Sequence, residues 1–196
     1  MQLQQVQRST LNISRVNLED VPARYMNPGE LETLVALIRS GRHKRVIEFG
    51  CNVGRTAKVL LREIPTIREY VGIDVFKDYV PECAVQQREV PQNPGQLAQD
   101  DYRFSLVLRQ NGTLDLGPDD LRYADCVFID GDHSYKVVMH DTILATKILA
   151  PGGTIIWHDY HELGTVQVKE VLEELQDMGR KIIHVEGTWL AYERRN

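Results

Sequence analysis

Cysteine is scarce and poorly spaced. Cys51, Cys83 and Cys126 are the only three in 196 residues, and no C-x-x-C pair occurs. That spacing excludes a disulfide framework and a thiolate zinc site, and leaves Cys126, at the head of an apolar run, as a small buried hydrophobe. Long apolar runs are also missing: no stretch reaches the 18 or so residues that a membrane helix needs. The first ten residues, Met1 to Thr10, are too polar for a signal peptide, so the cytoplasm is the expected compartment. Basic charge is in deficit, with a formal net charge of -5. A protein that wraps nucleic acid needs a basic face, so small molecules become the default partners, with neither nucleic acid nor membrane expected. Assembly with further copies of the chain stays open. The dinucleotide fingerprint is absent too, because G-x-G-x-x-G would place glycine where Asn52 and Arg55 stand.

What is present centres on Val46 to Thr56. The β-branched and apolar residues Val46, Ile47 and Phe49 flank an acid, Glu48, and the run breaks at Gly50. Gly54 follows, and an apolar helical pattern begins beyond it. This reads as a buried strand, a tight turn and a helix N-terminus that offers free N–H groups to a ligand. With no pyrophosphate turn, the ligand expected there is a nucleoside. Glu48 must find a donor, either on the ligand's ammonium group or among the N–H groups of the turn.

Along the chain, residues 1–25 show no period and read as an irregular or weakly helical extension. Asn27-Pro28-Gly29-Glu30 has the chemistry of a helix start, and Leu31, Leu34, Val35 and Ile38 continue it to Gly41. Strands are expected at 44–50, 70–75, 102–108, 125–130, 154–159, 181–186 and 189–193. Helices are expected after Gly54, from Ser134 to Leu149 and around Val168–Leu175, and residues 76–100 form an irregular insertion. Strands alternating with helices imply one α/β domain over 1–196, with a doubly wound, mostly parallel, seven-stranded Rossmann-like sheet and an antiparallel hairpin strand at its C-terminal edge. Ligands of such sheets sit beyond the carboxyl ends of the strands. Glu48, Asp74, Asp130 and Asp159 all fall there, and Asp74 is placed to accept both ribose hydroxyls.

These residues carry a resemblance. Glu48-x-Gly50-x-x-x-Gly54, Asp74, Phe128-Ile-Asp-Gly-Asp-His-Ser-Tyr135 and Pro151-Gly-Gly-Thr-Ile-Ile-Trp-His-Asp-Tyr160 are similar to the successive motifs of class I S-adenosylmethionine-dependent methyltransferases. The second pair resembles the small-molecule O-methyltransferase branch that contains the macrocin and mycinamicin sugar methyltransferases and, more distantly, catechol O-methyltransferase. The resemblance spans about residues 26–193. It implies S-adenosylmethionine as cofactor, held by Glu48, Gly50, Cys51, Asn52, Gly54, Thr56, Asp74, Val75, Asn111 and Asp130. It also implies Mg²⁺ or another divalent ion on Asp130 and Asp159, His133 as general base, and a hydroxylated small molecule such as a sugar or phenol as acceptor. The third metal ligand departs from the family pattern: His158 precedes Asp159 and Tyr160 follows it, in place of an acid or amide. Histidine suits Mn²⁺, Fe²⁺ or Zn²⁺ better than Mg²⁺. Asp132 is the alternative third ligand, although an acid at a helix start also suits the dipole.

The remaining candidates read as structural. His140 and His161 belong to no motif and are expected at the surface, Trp157 in the core, and His43-Lys44-Arg45 on a solvated face. Three rivals are weighed against hydroxyl methylation. Base methylation lacks its Asn/Asp-Pro-Pro-aromatic motif, a dehydrogenase lacks its glycine fingerprint, and a cofactor-binding module without catalysis is kept open by the His158/Tyr160 departure.

Overall fold

Apolar runs punctuated by glycine and proline become strands covered on both faces. The computed structural model describes residues 2–22, 26–81 and 87–195. Cys83 and parts of the extension and the insertion lie outside these. The strands are β1 (Gln4–Gln7), β2 (Arg45–Phe49), β3 (Glu69–Val75), β4 (Phe104–Arg109), β5 (Ala124–Ile129), β6 (Leu149–Trp157), β7 (Ile183–Glu186) and β8 (Ala191–Arg194). They make one sheet in the order β1-β7-β8-β6-β5-β2-β3-β4, parallel except where β8 pairs with β6 and β7. The helices are α1 (Pro28–Ser40), α2 (Arg55–Glu63), α3 (Tyr135–Ile148) and α4 (Val168–Asp177).

Alternation along β2 divides the core. Ile47 and Phe49 join the cluster containing Val138, Leu144, Val171 and Leu172 of α3 and α4. Val46 joins the opposite cluster with Leu34 and Ile38 of α1 and Leu60 and Leu61 of α2. With apolar layers on both faces, the middle strands need no polar face. The chain leaves β2 outward through β3 and β4, then returns to lay β5 on the other side of β2. The switch point therefore lies between Gly50 and Asp130.

Local capping explains α1. Asn27 Oδ1 accepts from Glu30 N at 2.9 Å, Glu30 Oε2 accepts from Asn27 N at 3.3 Å, and Pro28 opens the helix. Two expectations are corrected. The sheet has eight strands rather than seven, because Gln4–Gln7 pairs in parallel with β7. Its sequence has no apolar face to predict a strand; the open ladder of β7 supplies the partner and buried Leu3 anchors the start. In addition, β6 begins at Leu149, runs through Pro151–Gly153 and ends at Trp157, so His158 and Asp159 lie just past the strand.

Candidate active site

Three left-handed residues in five shape the turn after β2: Gly50 (φ +84°), Asn52 (φ +47°) and Gly54 (φ +82°). Gly50 has no alternative, since a Cβ there would sit 2.4 Å from the carbonyl oxygen of Asp130 and 2.4 Å from Gly131 Cα. The insertion clamps the turn from outside, with Gly95 N donating to Asn52 O and Leu97 N to Val53 O, both at 2.8 Å. The N–H groups of the turn itself are taken up locally. Gly50 and Cys51 donate to Ile73 O, Asn52 to Asp74 Oδ2, Val53 to Asn52 Oδ1 and Gly54 to Cys51 O. The free donors lie one step on, at the start of α2, which has no side-chain cap.

Asp74 ends up 8% exposed, with Oδ1 accepting from Val75 N at 2.8 Å and Oδ2 from Asn52 N at 2.5 Å. Each oxygen keeps a lone pair for a ribose hydroxyl. Burial pushes its pKa up to about 6 against the pull of those N–H groups. Within the chain Glu48 finds its donor on Tyr70 rather than among the N–H groups of the turn. Tyr70 Oη donates to its Oε2 at 2.9 Å, and burial, with the Asp130 and Asp74 charges adding to it, raises its pKa well above the carboxylate range despite that hydrogen bond. Cys51 is buried beneath the turn, where a Cβ on Gly72 would meet its sulfur at 2.8 Å, and burial drives its thiol pKa up.

Asn111 stands after β4 with its amide donating to Asp115 Oδ1 at 2.9 Å. Gly112 packs on Val75, and beside them buried Thr113 donates to Asp141 of α3. Turn residues Gly50–Val53, Thr56, Asp74, Val75 and Asn111–Thr113 border one cavity of about 600 Å³. That is a small-molecule volume.

Its other half gathers carboxylates and histidines past β5 and β6. His158 Nδ1 lies 3.2 Å from Asp130 Oδ1 and 3.1 Å from Asp159 Oδ2. His133 Nε2 lies 3.0 Å from Asp159 Oδ2 and 3.9 Å from Asp130 Oδ1. Asp130, His133 and Asp159 can present ligand atoms within 4.8 Å of one another. Asp159 holds a left-handed φ of +58°, a strained conformation that aims its carboxylate at this cluster. Desolvation would lower His133, but the neighbouring Asp130 and Asp159 carboxylates overcome that and raise it to about 10. The same balance, with Glu30 added, raises His158, while the histidines outweigh burial at Asp159 and hold it far below the carboxylate range.

Sequence reasoning missed three contributors. Glu30 does cap α1, but its carboxylate also accepts from Trp189 N at 2.8 Å and lies 3.7 Å from His158 Nε2. His161 is not a surface residue: its Nε2 sits 3.3 Å from Asp159 Oδ1 and its ring stacks on Trp189 at 4.2 Å. His140 also departs from expectation, meeting Thr113 O at 2.9 Å. Asp132 takes the helix-start role, accepting from Ser134 N at 2.9 Å. Trp157 is core, with its indole N–H donating to Thr142. Pro22, Met26, Val166 and Trp189 wall this half of the cavity. Only the first turn of α1 had a readable signal, and it pointed to capping.

A turn-and-acid half and a carboxylate–histidine half in one cleft, at the switch point of a doubly wound sheet, define a Rossmann-like group-transfer fold. The chain belongs to the methyltransferase-domain family, whose model matches residues 47–160. Among solved structures, the O-methyltransferase TomG from Streptomyces achromogenes, involved in tomaymycin synthesis and in complex with S-adenosylmethionine, is 15% identical. It aligns over 96% of this chain and 94% of its own at a TM-score of 0.62. The O-methyltransferase NovP is 16% identical over 89% and 84%, with a TM-score of 0.65. An O-methyltransferase from Bacillus cereus in complex with S-adenosylhomocysteine is 15% identical over 90% and 86%, at 0.60. At such identities the likeness is one of fold, that of S-adenosylmethionine-dependent O-methyltransferases. No curated protein matches the sequence. Among the described residues, no helix is long and apolar enough to cross a membrane.

Proposed function

We propose that this chain transfers a methyl group from S-adenosylmethionine to a hydroxyl of a small molecule, with a divalent cation held by Asp130, Asp159 and His158. The observation that carries the reading is the convergence of these residues with His133 in the cavity that the Gly50–Thr56 turn and Asp74 also border. Asp74 takes the ribose hydroxyls, Val75 and Asn111–Thr113 the base, and Gly50, Cys51, Asn52, Gly54 and Thr56 shape the floor beneath the methionine part.

The donors fit an ion. Asp130 Oδ1 and Asp159 Oδ2 lie 3.2 and 3.1 Å from His158 Nδ1. Bonds of about 2.1 Å span edges of about that size. Mixed imidazole and carboxylate donors suit Mn²⁺, Fe²⁺ or Zn²⁺ better than Mg²⁺. Bound there, such an ion lowers the pKa of an acceptor hydroxyl. His158 is the better-built ligand, since it is buried and its far nitrogen faces Glu30, an orienting arrangement typical of metal-bound histidine. His133, at the rim, is the base. Beside two uncompensated carboxylates it keeps its proton up to about pH 10, so it accepts one only when their charge is taken up otherwise. Trp189, Met26, Pro22 and Val166 receive the acceptor's apolar surface. The compartment that fits this reading is the cytoplasm.

Calorimetric titration of the chain with S-adenosylmethionine tests the cofactor half, and Asp74→Ala should weaken binding at least tenfold. Chelation should abolish turnover and Mn²⁺ should restore it; full activity in excess chelator would refute the role given to the carboxylates.

A further inference from the structure

Arg55 is the only buried arginine among the described residues, at 7% exposure, and it opens α2. A cation in the first turn of a helix faces the positive end of the dipole, and no acid stands in that turn to offset it. Its Nε is buried without an acceptor, and among the described residues no hydrogen bond or ion pair within 4 Å engages the guanidinium. By contrast, Arg45, Arg103 and Arg180 each hold a carboxylate. Leaving such a group unpaired is costly, so the position makes sense only if a ligand completes it. The side chain borders the cavity, as does Asp130, whose charge acts on it.

The charges around the cavity specify that ligand. Glu48, Asp74, Glu89, Asp130, Asp132, Asp141 and Asp159 border it, and among the described residues Arg55 is its sole lysine or arginine. His133 and His158 are set against Asp130 and Asp159, and burial favours the protonated form of Glu48 and Asp141. What this wall asks of a ligand is thus one anionic group for Arg55 together with donors for the remaining acids, Asp74 among them. S-adenosylmethionine has that pattern, with a sulfonium, an ammonium and one carboxylate. We infer that Arg55, with the uncapped N-terminus of α2, clamps the cofactor's α-carboxylate and makes the site select ligands that carry it. The inference rests on the cofactor reading above. The guanidinium supplies the paired donors that a carboxylate accepts, and the helix N–H groups supply the rest.

The test compares S-adenosylhomocysteine with its decarboxylated analogue S-adenosyl-3-thiopropylamine, which keeps the ammonium and lacks only the carboxylate. In calorimetry the intact chain should prefer the former by about 10–100-fold, the range for a charge-assisted pair. Arg55→Met should bring the two affinities within about threefold, and Arg55→Lys should retain part of the preference. In the absence of ligand, Arg55→Met should melt no lower than the parent, since an unmatched buried charge is removed. An Arg55→Met protein that keeps the full preference overturns the clamp. So does a parent chain that binds both ligands equally, which decides the matter even where the variant fails to fold. A parent that binds neither ligand removes the cofactor reading itself.

Discussion

The contact between the β2 turn and the end of β5 can be broken by one carbon. Gly50→Ala places a methyl 2.4 Å from two backbone atoms, Asp130 O and Gly131 Cα, at a φ of +84°. Neither obstacle is the flexible end of a side chain, so the two loops must part. The left-handed backbone costs about 1–2 kcal/mol for a residue with a Cβ. Forcing atoms into a filled contact adds about 1–3 kcal/mol. Together that is about 2–5 kcal/mol, or about 5–15 °C in melting temperature for a chain of this length. Gly152→Ala is the control, because its φ is +77° but a Cβ there meets nothing within 4 Å. It should lose only the strain, about 1–2 kcal/mol. Thermal melts followed by circular dichroism give both numbers, and calorimetry gives the cofactor affinity of each variant. Gly50→Ala should also lose measurable cofactor binding, while Gly152→Ala keeps it. Equal losses of stability in the two variants, with binding intact, would show that the close approach does not organise the site.

Two further perturbations separate roles that single residues combine. Glu30→Gln keeps one acceptor oxygen, enough for the Asn27 cap, so α1 should hold, but it removes the acceptor of Trp189 N and the charge behind His158. Mn²⁺ affinity should fall by about 10–100-fold, and unchanged affinity in a metal titration would refute that support. Asp141 is 1% exposed and burial, reinforced by the Asp132 charge and only partly opposed by Thr113, pushes its pKa up to about 8. Between pH 4 and 8 the unfolded carboxyl releases its proton while the folded one keeps it, so stability falls as pH rises through that window and levels off above it. Asp141→Asn removes up to about 1.4 kcal/mol per pH unit of that slope. Urea unfolding at pH 5 and pH 8 should show the variant gaining on the parent at the higher pH, and parallel curves would refute the assignment.

What could be read from the sequence follows the range of each interaction. The α1 cap lies within four residues, so Asn27, Pro28 and Glu30 announce it. The strand ends are periodic, so Asp74 and Asp130 fall where the run of apolar residues stops. Gln4–Gln7 could not be read, because four mostly exposed residues form a strand only when β7 offers its edge nearly 180 positions away. Glu30 hid its second role for the same reason: Trp189 and His158 reach it from the far end of the chain. His161 has no motif, and only the stacking on Trp189 and the bend at Asp159 bring it inward. Arg55 was legible only as a residue that is not glycine, since burial without a partner is a property of the folded cavity.

These contacts divide the cavity into a rigid part and a variable part. Asp130 N donates to Phe49 O at 2.9 Å and its carbonyl packs on Gly50, so the cofactor turn and the first carboxylate move as one body. His158 N donates to Ile129 O at 3.1 Å, which ties the second carboxylate segment to the same strand end. The groups proposed to take part in the reaction are thus held by backbone hydrogen bonds at neighbouring strand ends, the kind of rigidity that orientation of a methyl donor and a hydroxyl requires. Part of the proposed acceptor wall shares these ties: Trp189 O accepts from Tyr160 N at 2.9 Å beside Asp159, and His133 O accepts from Gln167 N at 2.9 Å beside Val166. Pro22 comes from the N-terminal extension, Met26 from the lead into α1, Val166 from the segment before α4 and Trp189 from the β7–β8 turn. In the proposed reading the choice of acceptor is thus written in connecting segments, and a change at Trp189 should also disturb the turn at Asp159 that it is bonded to.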